Sequence, residues 1–346
     1  MFKRSSSLHL LAATVVSIGA TPTTVSAQSG LPLALAPESA NFAVAHERVD
    51  IGQGRHLNLY CRGDSGPTVI FDAGTGEQSW DWRYVQPAVG RHTRACVYDR
   101  AGYGFSDPAT RPGTAANAVE DLHALIRAAH LPIPVILVGH SYGGLVSQLY
   151  AYTYPREVGG MVLVDTYHED ATARGDRVLN GKISEIHKEM TTYFEGCHRA
   201  AKAGLHEGDV AWNDCVGDDA ATFGPILWPV VRDHRRSPTV MDAIGSERDN
   251  EDGATAAQLR AARKSFGSLP LVYLTRGVSP YMVPGRPQSA MNKAYEDEML
   301  KSHEEIAALS SQGVDYVVPG AGHDVHLERP QAVVDAVLAV VAMQSR

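Results

Sequence analysis

One stretch limits the folds open to this chain more than any other: Pro134-Val-Ile-Leu-Val-Gly-His-Ser-Tyr-Gly-Gly-Leu-Val146. Val135 to Val138, with Ile133 before them, form a short apolar run of the kind that makes a fully buried strand. The run passes directly into Gly139-His140-Ser141-Tyr142-Gly143, after which Leu145, Val146, Leu149 and Tyr150 recur at helical spacing. A strand that becomes a helix through so sharp a turn forces the serine into a strained conformation. Glycines on either side let strand and helix pass closely. The turn would lift the Ser141 hydroxyl clear of the sheet, at a helix N-terminus that favours developing negative charge. In a chain with 32 glycines the five-residue pattern alone is weak, and a chance turn is the bland reading. The flanking strand and helix make Ser141 a candidate nucleophile.

The rest of the chain fits a large globular α/β protein. Its 346 residues, 44% hydrophobic and 20% charged, argue against disorder or a coiled coil. A net charge of −8 leaves no basic footprint for nucleic acid. No phosphate-binding glycine loop follows a strand, so no cofactor is indicated. Lys3 and Arg4, the apolar stretch Leu8 to Ala20 and the small residues Val25-Ser26-Ala27 have the three-part layout of a signal peptide over residues 1–27. The apolar part is short for a membrane span, so the expectation is export, periplasmic or extracellular, with no stable membrane insertion after cleavage. The alternative is an anchoring N-terminal helix. In an oxidising compartment the four cysteines, Cys61, Cys96, Cys197 and Cys215, read as disulfides with three possible pairings. No Cys-x-x-Cys occurs, so no zinc site is indicated.

Residues 28–43 read as a Pro, Ala and Ser-rich linker. Two short strands flank Gly52-Gln-Gly54, and buried strands are expected at 67–71, 94–98, 160–165, 269–274 and 314–318, with helices between them. Strands alternating with helices predict a mainly parallel sheet with helices on both faces. Residues 167–268 break the rhythm. They are charged, helical in patches and without a strong strand, which reads as a cap inserted between core segments 44–166 and 269–346. No internal repeat is visible.

With these pieces placed, the chain resembles the α/β-hydrolase superfamily, in its serine-hydrolase, esterase-like branch. The resemblance rests on Asp72-Ala-Gly-Thr-Gly76, Tyr98-Asp-Arg-Ala-Gly-Tyr-Gly-Phe-Ser106, the Ser141 turn, and Gly320-Ala-Gly-His-Asp-Val-His-Leu-Glu-Arg-Pro330. The cap resembles no family. Many relatives carry His-Gly where this chain has Ala73-Gly74, but that histidine is not the catalytic base. The resemblance implies an eight-stranded sheet whose second strand lies beside the fourth. Cys61 would then meet Cys96, leaving Cys197 and Cys215 to pair within the cap.

It also implies a triad. A serine hydroxyl needs a base to take its proton, and the base in this fold follows the last strand, where His323 stands. His326, three residues on, is its local rival and is assigned to the substrate pocket. His323-x-x-His326 lacks a third ligand at metal spacing. The acid commonly follows the seventh strand, but Leu274-Thr-Arg-Gly-Val-Ser-Pro-Tyr281 carries none. The other placement, the end of the sixth strand, holds Asp165. A carboxylate ending a buried strand needs a partner. Glu169 and Asp170 are fallbacks, with Glu296 and Asp297 more distant. Backbone N–H groups of Thr75 and Tyr142 would form the oxyanion hole. Trp80 and Trp82 are assigned either to a pocket wall or to core packing. Asp99-Arg100 reads as structural. Glu185, Glu189 and Glu195 in the cap could hold an amino group, though a solvated helix face is the plainer reading.

The leading expectation is an exported carboxylic ester or lactone hydrolase acting on a small-molecule ester-like substrate. Aminopeptidase, amidase and acyltransferase chemistry would use the same triad. A non-catalytic binding protein of this fold is the alternative of another class. Dehalogenase and epoxide-hydrolase relatives place Asp at the position of Ser141.

Overall fold

The computed structural model describes residues 38–282 and 285–344. The expected signal peptide and residues 28–37 of the expected linker lie outside them. Packed structure begins slightly before residue 44, because Ser39–Phe42 form a short 3-10 helix and Phe42 is buried against the sheet.

The strands are β1 (Glu47–Asp50), β2 (His56–Arg62), β3 (Thr68–Asp72), β4 (Arg94–Tyr98), β5 (Val135–His140), β6 (Val158–Val164), β7 (Leu271–Arg276) and β8 (Gly313–Val318). They form one sheet in the order β1-β2-β4-β3-β5-β6-β7-β8. The β1–β2 and β2–β4 pairs are antiparallel, and β4 through β8 run parallel. The mainly parallel eight-stranded sheet and the neighbouring second and fourth strands are as expected.

The helices are α1 (Gln86–Val89), α2 (Ala115–Ala128), α3 (Tyr142–Thr153), α4 (Ala171–Leu179), α5 (Lys182–Lys202), α6 (Trp212–Cys215), α7 (Ala220–Arg235), α8 (Pro238–Asn250), α9 (Ala256–Ala262), α10 (Ala290–Ala307), α11 (Val325–Glu328) and α12 (Pro330–Gln344). Successive strand residues point to opposite faces. In β5, Val135 and Leu137 therefore pack with α2 and α3, whereas Ile136 and Val138 join the α12 side, with Val333, Val337 and Val340. Helices on both faces explain why the central strands are apolar throughout rather than alternating.

Between β6 and β7 the chain is helical, α4 to α9, as a cap requires. Polar anchors tie it to the core. Arg174 of α4 donates to Glu298 of α10 at 3.0 Å. The Ala115 N–H, at the start of α2, donates to the Thr255 hydroxyl at 3.1 Å. Arg100 donates to Glu247 of α8 at 2.7 and 3.0 Å. Cys61 and Cys96 face each other across β2 and β4 and are joined, as are Cys197 and Cys215 within the cap.

Candidate active site

Ser141 lies between the last residue of β5 and the first of α3, at φ 49° and ψ −117°. No side chain relieves that strain, so the surroundings must impose it. The imposing contacts are backbone to backbone. A Cβ on Gly139 would lie 2.4 Å from the Gly143 carbonyl oxygen, and one on Gly143 would lie 2.4 Å from that of Asp72. Strand, helix and the loop after β3 thus meet at van der Waals distance beneath the serine. The Thr166 hydroxyl donates to the Ser141 carbonyl at 2.5 Å.

Asp165 follows β6 directly, also in the left-handed region at φ 40°, and is fully buried. Its Oδ2 accepts from His323 Nδ1 at 2.6 Å and from Arg276 Nη1 at 3.0 Å, while Oδ1 accepts from the Arg276 N–H at 3.0 Å. Burial alone would raise the carboxyl, but Arg276 and then His323 outweigh it and hold it well below the usual carboxylate range. An ionised acid on Nδ1 orients the imidazole and leaves Nε2 for chemistry. The fallback acids are taken elsewhere: Glu169 by Arg263, Asp170 by Arg260, Glu296 by Arg276 and Asp297 by Lys293.

Ser141, His323 and Thr75 line a single cleft of about 560 Å³ beneath the cap. Leu145, Tyr167, Ile183, Met190, Phe194 and Tyr295 give it apolar walls. Such a size and mix suit a small organic ligand. Tyr142 opens α3, so its N–H has no intrahelical acceptor. Thr75 lies on the loop after β3 and lines the cleft.

Three pocket assignments need correction. Trp80, Trp82 and His326 do not line the cleft. They are at most 1% exposed and pack under it, with Trp82 against Phe71 and His326. The turn after Gly76 folds down onto the sheet as a short 3-10 helix, Ser79–Trp82, which carries both tryptophans into the core. In the cap, Phe194 reaches the cleft, whereas Trp212 and Phe223 belong to packed clusters. Glu185, Glu189 and Glu195 are exposed on α5, away from the cleft. Asp99 and Arg100 do hold loops, though separately: Asp99 accepts from Asn58, Ser79 and Phe105, and Arg100 bridges Asp72 and Glu247.

Two features escaped the sequence reading. One is Arg276, the cation beside Asp165. An arginine ending a buried strand called for an acid just as Asp165 called for a cation. The other is a buried contact between Glu77 and His140. His140 Nδ1 lies 2.8 Å from Glu77 Oε2, and its Nε2 lies 3.0 Å from the His323 carbonyl oxygen. Nothing in the sequence marks that pair, because its members are 63 residues apart.

A model of the alpha/beta hydrolase family matches residues 69–336. The chain belongs to that family. Among its relatives, this alpha/beta hydrolase is 34% identical to the uncharacterized protein YqjL of Bacillus subtilis (strain 168) over 149 residues, 42% of this chain and 56% of YqjL. It is 33% identical to the 2-hydroxy-6-oxo-2,4-heptadienoate hydrolase of Pseudomonas putida over 123 residues, 34% of this chain and 43% of that enzyme. The chain thus spans less than two thirds of the length of these curated relatives. The enol-lactonase of Burkholderia xenovorans LB400 superposes with a TM-score of 0.56 at 17% identity, over 85% of this chain and 99% of the lactonase. That likeness speaks for the fold alone.

Proposed function

We propose that the protein is an exported serine hydrolase that cleaves a carboxylic ester or lactone through Ser141, His323 and Asp165. The observation that carries this reading is the 2.6 Å contact between His323 Nδ1 and Asp165 Oδ2, on a ring that shares one cleft with the strained Ser141. Ser141 Oγ attacks the carbonyl carbon as His323 Nε2 takes its proton. The oxyanion faces the N–H groups of Thr75 and Tyr142. The alkoxide leaves with the proton from Nε2, and an acyl-Ser141 remains. Water then gives a proton to His323 and its oxygen to the acyl carbon, which releases the acid and restores the serine. Export is supported by two disulfides among the described residues. No described helix is long and apolar enough to cross a membrane.

The test is labelling with a small fluorophosphonate, read by intact mass and peptide mapping. One adduct on Ser141, lost in Ser141→Ala and slowed in His323→Ala, is the expected result, together with turnover of short-chain phenyl esters or lactones. Folded protein that neither labels nor turns over any ester would overturn the reading and favour a binding protein of this fold. Faster turnover of amino-acid anilides than of esters would move it to amidase chemistry.

A further inference from the structure

Glu77 and His140 join three backbone segments that the proposed reaction needs. Glu77 Oε2 accepts from the Gly74 N–H at 2.7 Å, in the loop that carries Thr75. The same oxygen lies 2.8 Å from His140 Nδ1. His140 is the residue before Ser141, and its Nε2 meets the His323 carbonyl at 3.0 Å. A carbonyl oxygen can only accept, so Nε2 carries a hydrogen. The carboxylate, already accepting from Gly74, also takes a hydrogen from Nδ1. Burial would raise the Glu77 carboxyl, but His140 holds it well below the usual carboxylate range, so it stays ionised and His140 carries both protons, as an imidazolium 1% exposed beside its counterion.

We propose that Glu77 and the His140 imidazolium are positioning residues that hold the oxyanion loop, the Ser141 turn and the His323 loop in one register, and that turnover depends on His140 keeping its second proton. The inference rests on the serine-hydrolase reading above. Neither residue lines the cleft, so neither touches substrate. The ligand atoms of Glu77, His140 and His326 also lie close enough to be read as a metal nest. Hydrogen bonding accounts better for the geometry. Glu77 Oε2 already accepts from the Gly74 N–H and lies at hydrogen-bond distance from His140 Nδ1, and His140 Nε2 is taken up by the His323 carbonyl, so both ring nitrogens of His140 are occupied.

The charged groups around His140 favour its second proton. Glu77 faces Nδ1, and Asp324 lies 3.9 Å from Nε2. The rings of His323 and His326 lie 4.7 and 4.3 Å away between centroids, and burial pushes His326 well below its usual range, towards the neutral form, which leaves no charge on that ring to oppose the proton. Asp81, behind Glu77, is pushed up to about 7 by burial and by Glu77 itself. Burial would lower His140, but Glu77 outweighs it and raises the group to about 9.

The experiment is kcat and KM against pH for wild type, Glu77→Gln and Glu77→Asp, with a phenyl ester, after fluorophosphonate labelling has established the wild-type serine. Wild type should lose kcat, at nearly constant KM, in an alkaline limb near pH 9. In Glu77→Gln the limb should move down by about one pH unit or more, and kcat at neutral pH should fall about 10- to 100-fold with KM within about threefold. Glu77→Asp should recover part of both. A folded Glu77→Gln enzyme with wild-type kcat and an unmoved limb overturns the proposal. If the variant does not fold, the charge of His140 in wild type is read by imidazole NMR. Two ring protons at pH 8 support the pair, and a neutral ring at pH 8 overturns it. That reading holds whether or not Ser141 labels, so it separates failure of the pair from failure of the triad.

Discussion

Arg276 and His323 meet on one oxygen: Nη1 lies 3.0 Å and Nδ1 2.6 Å from Oδ2 of Asp165. A fully buried carboxylate with one neutral imidazole partner would be costly to keep ionised. The guanidinium supplies the missing charge, and its other nitrogen reaches Glu296 at 3.1 and 3.2 Å. Arg276 is therefore what keeps an acid after β6 ionised beside a histidine after β8.

Replacing Arg276 with Met should strand that carboxylate. Removing one partner of a buried ion pair costs about 3–5 kcal/mol, read as a lower urea midpoint. The carboxyl of Asp165, held low in the folded state, contributes stability that is present above its ordinary range near 3.8 and is lost as pH falls through its folded value. Without Arg276 that folded value rises, so acid unfolding should begin at higher pH than in wild type. Unchanged acid and urea midpoints would mean that Arg276 is not the balancing charge.

Asp165→Asn keeps the shape and removes the charge. An amide on His323 Nδ1 no longer fixes the tautomer or stabilises the imidazolium. A drop in kcat on the order of 10³- to 10⁴-fold, with KM changed little, is expected in steady-state assays. Glu169→Gln should leave kcat within about threefold, because Glu169 is held by Arg263 and not by the histidine. A large loss at Glu169 and none at Asp165 would reassign the acid.

Much of this was legible in the sequence because it was local. The apolar run before Gly139, the glycines around Ser141 and the strand–helix alternation each constrain a few neighbouring residues, and the turn from β5 through Ser141 into α3 stands as they imply. That Asp165 would have partners was legible because a buried strand rarely ends in an unpaired acid. What was not legible is pairing over long distance. Arg276 and Asp165 are 111 residues apart, and Arg100 and Glu247 are 147 apart. Hydropathy carries no trace of such contacts. The tryptophans show the opposite limit. Trp80 and Trp82 follow the Thr75 loop closely in sequence, yet a short 3-10 turn is enough to send both into the core. Nearness in sequence to a loop that lines the cleft is no guide to which side of it a side chain takes.

The two disulfides should contribute unequally to global stability. Cys61–Cys96 closes 35 residues and Cys197–Cys215 closes 18. Loop-closure entropy gives about 4 and about 3 kcal/mol respectively, in the unfolded-chain model. The first links adjacent strands of the sheet, so its double serine variant should lower the midpoint of the whole molecule. The second lies inside the cap, so its loss should show mainly as faster proteolysis there. Equal effects of both on core unfolding would argue that cap and core unfold as one unit.

The Arg100–Glu247 pair ties α8 of the cap to the loop after β4. Arg100 is 7% exposed and has core partners of its own in Asp72, at 2.6 Å, and the Gly74 carbonyl, at 2.9 Å. Glu247, on α8, is 4% exposed and depends on Arg100 and the Tyr103 hydroxyl, at 2.8 Å. Glu247→Gln thus leaves the core side nearly satisfied and weakens the cap side. The expected cost is about 3 kcal/mol of cap docking, from the lower end of buried-pair losses. Because cap residues such as Met190 and Phe194 wall the cleft, KM should rise about 10-fold or more while kcat for a small ester falls less. Limited proteolysis should cut the variant first between α5 and α8, leaving the sheet intact. A variant with wild-type KM and an uncut cap would show that the apolar contacts of α8, not this ion pair, hold the cap down.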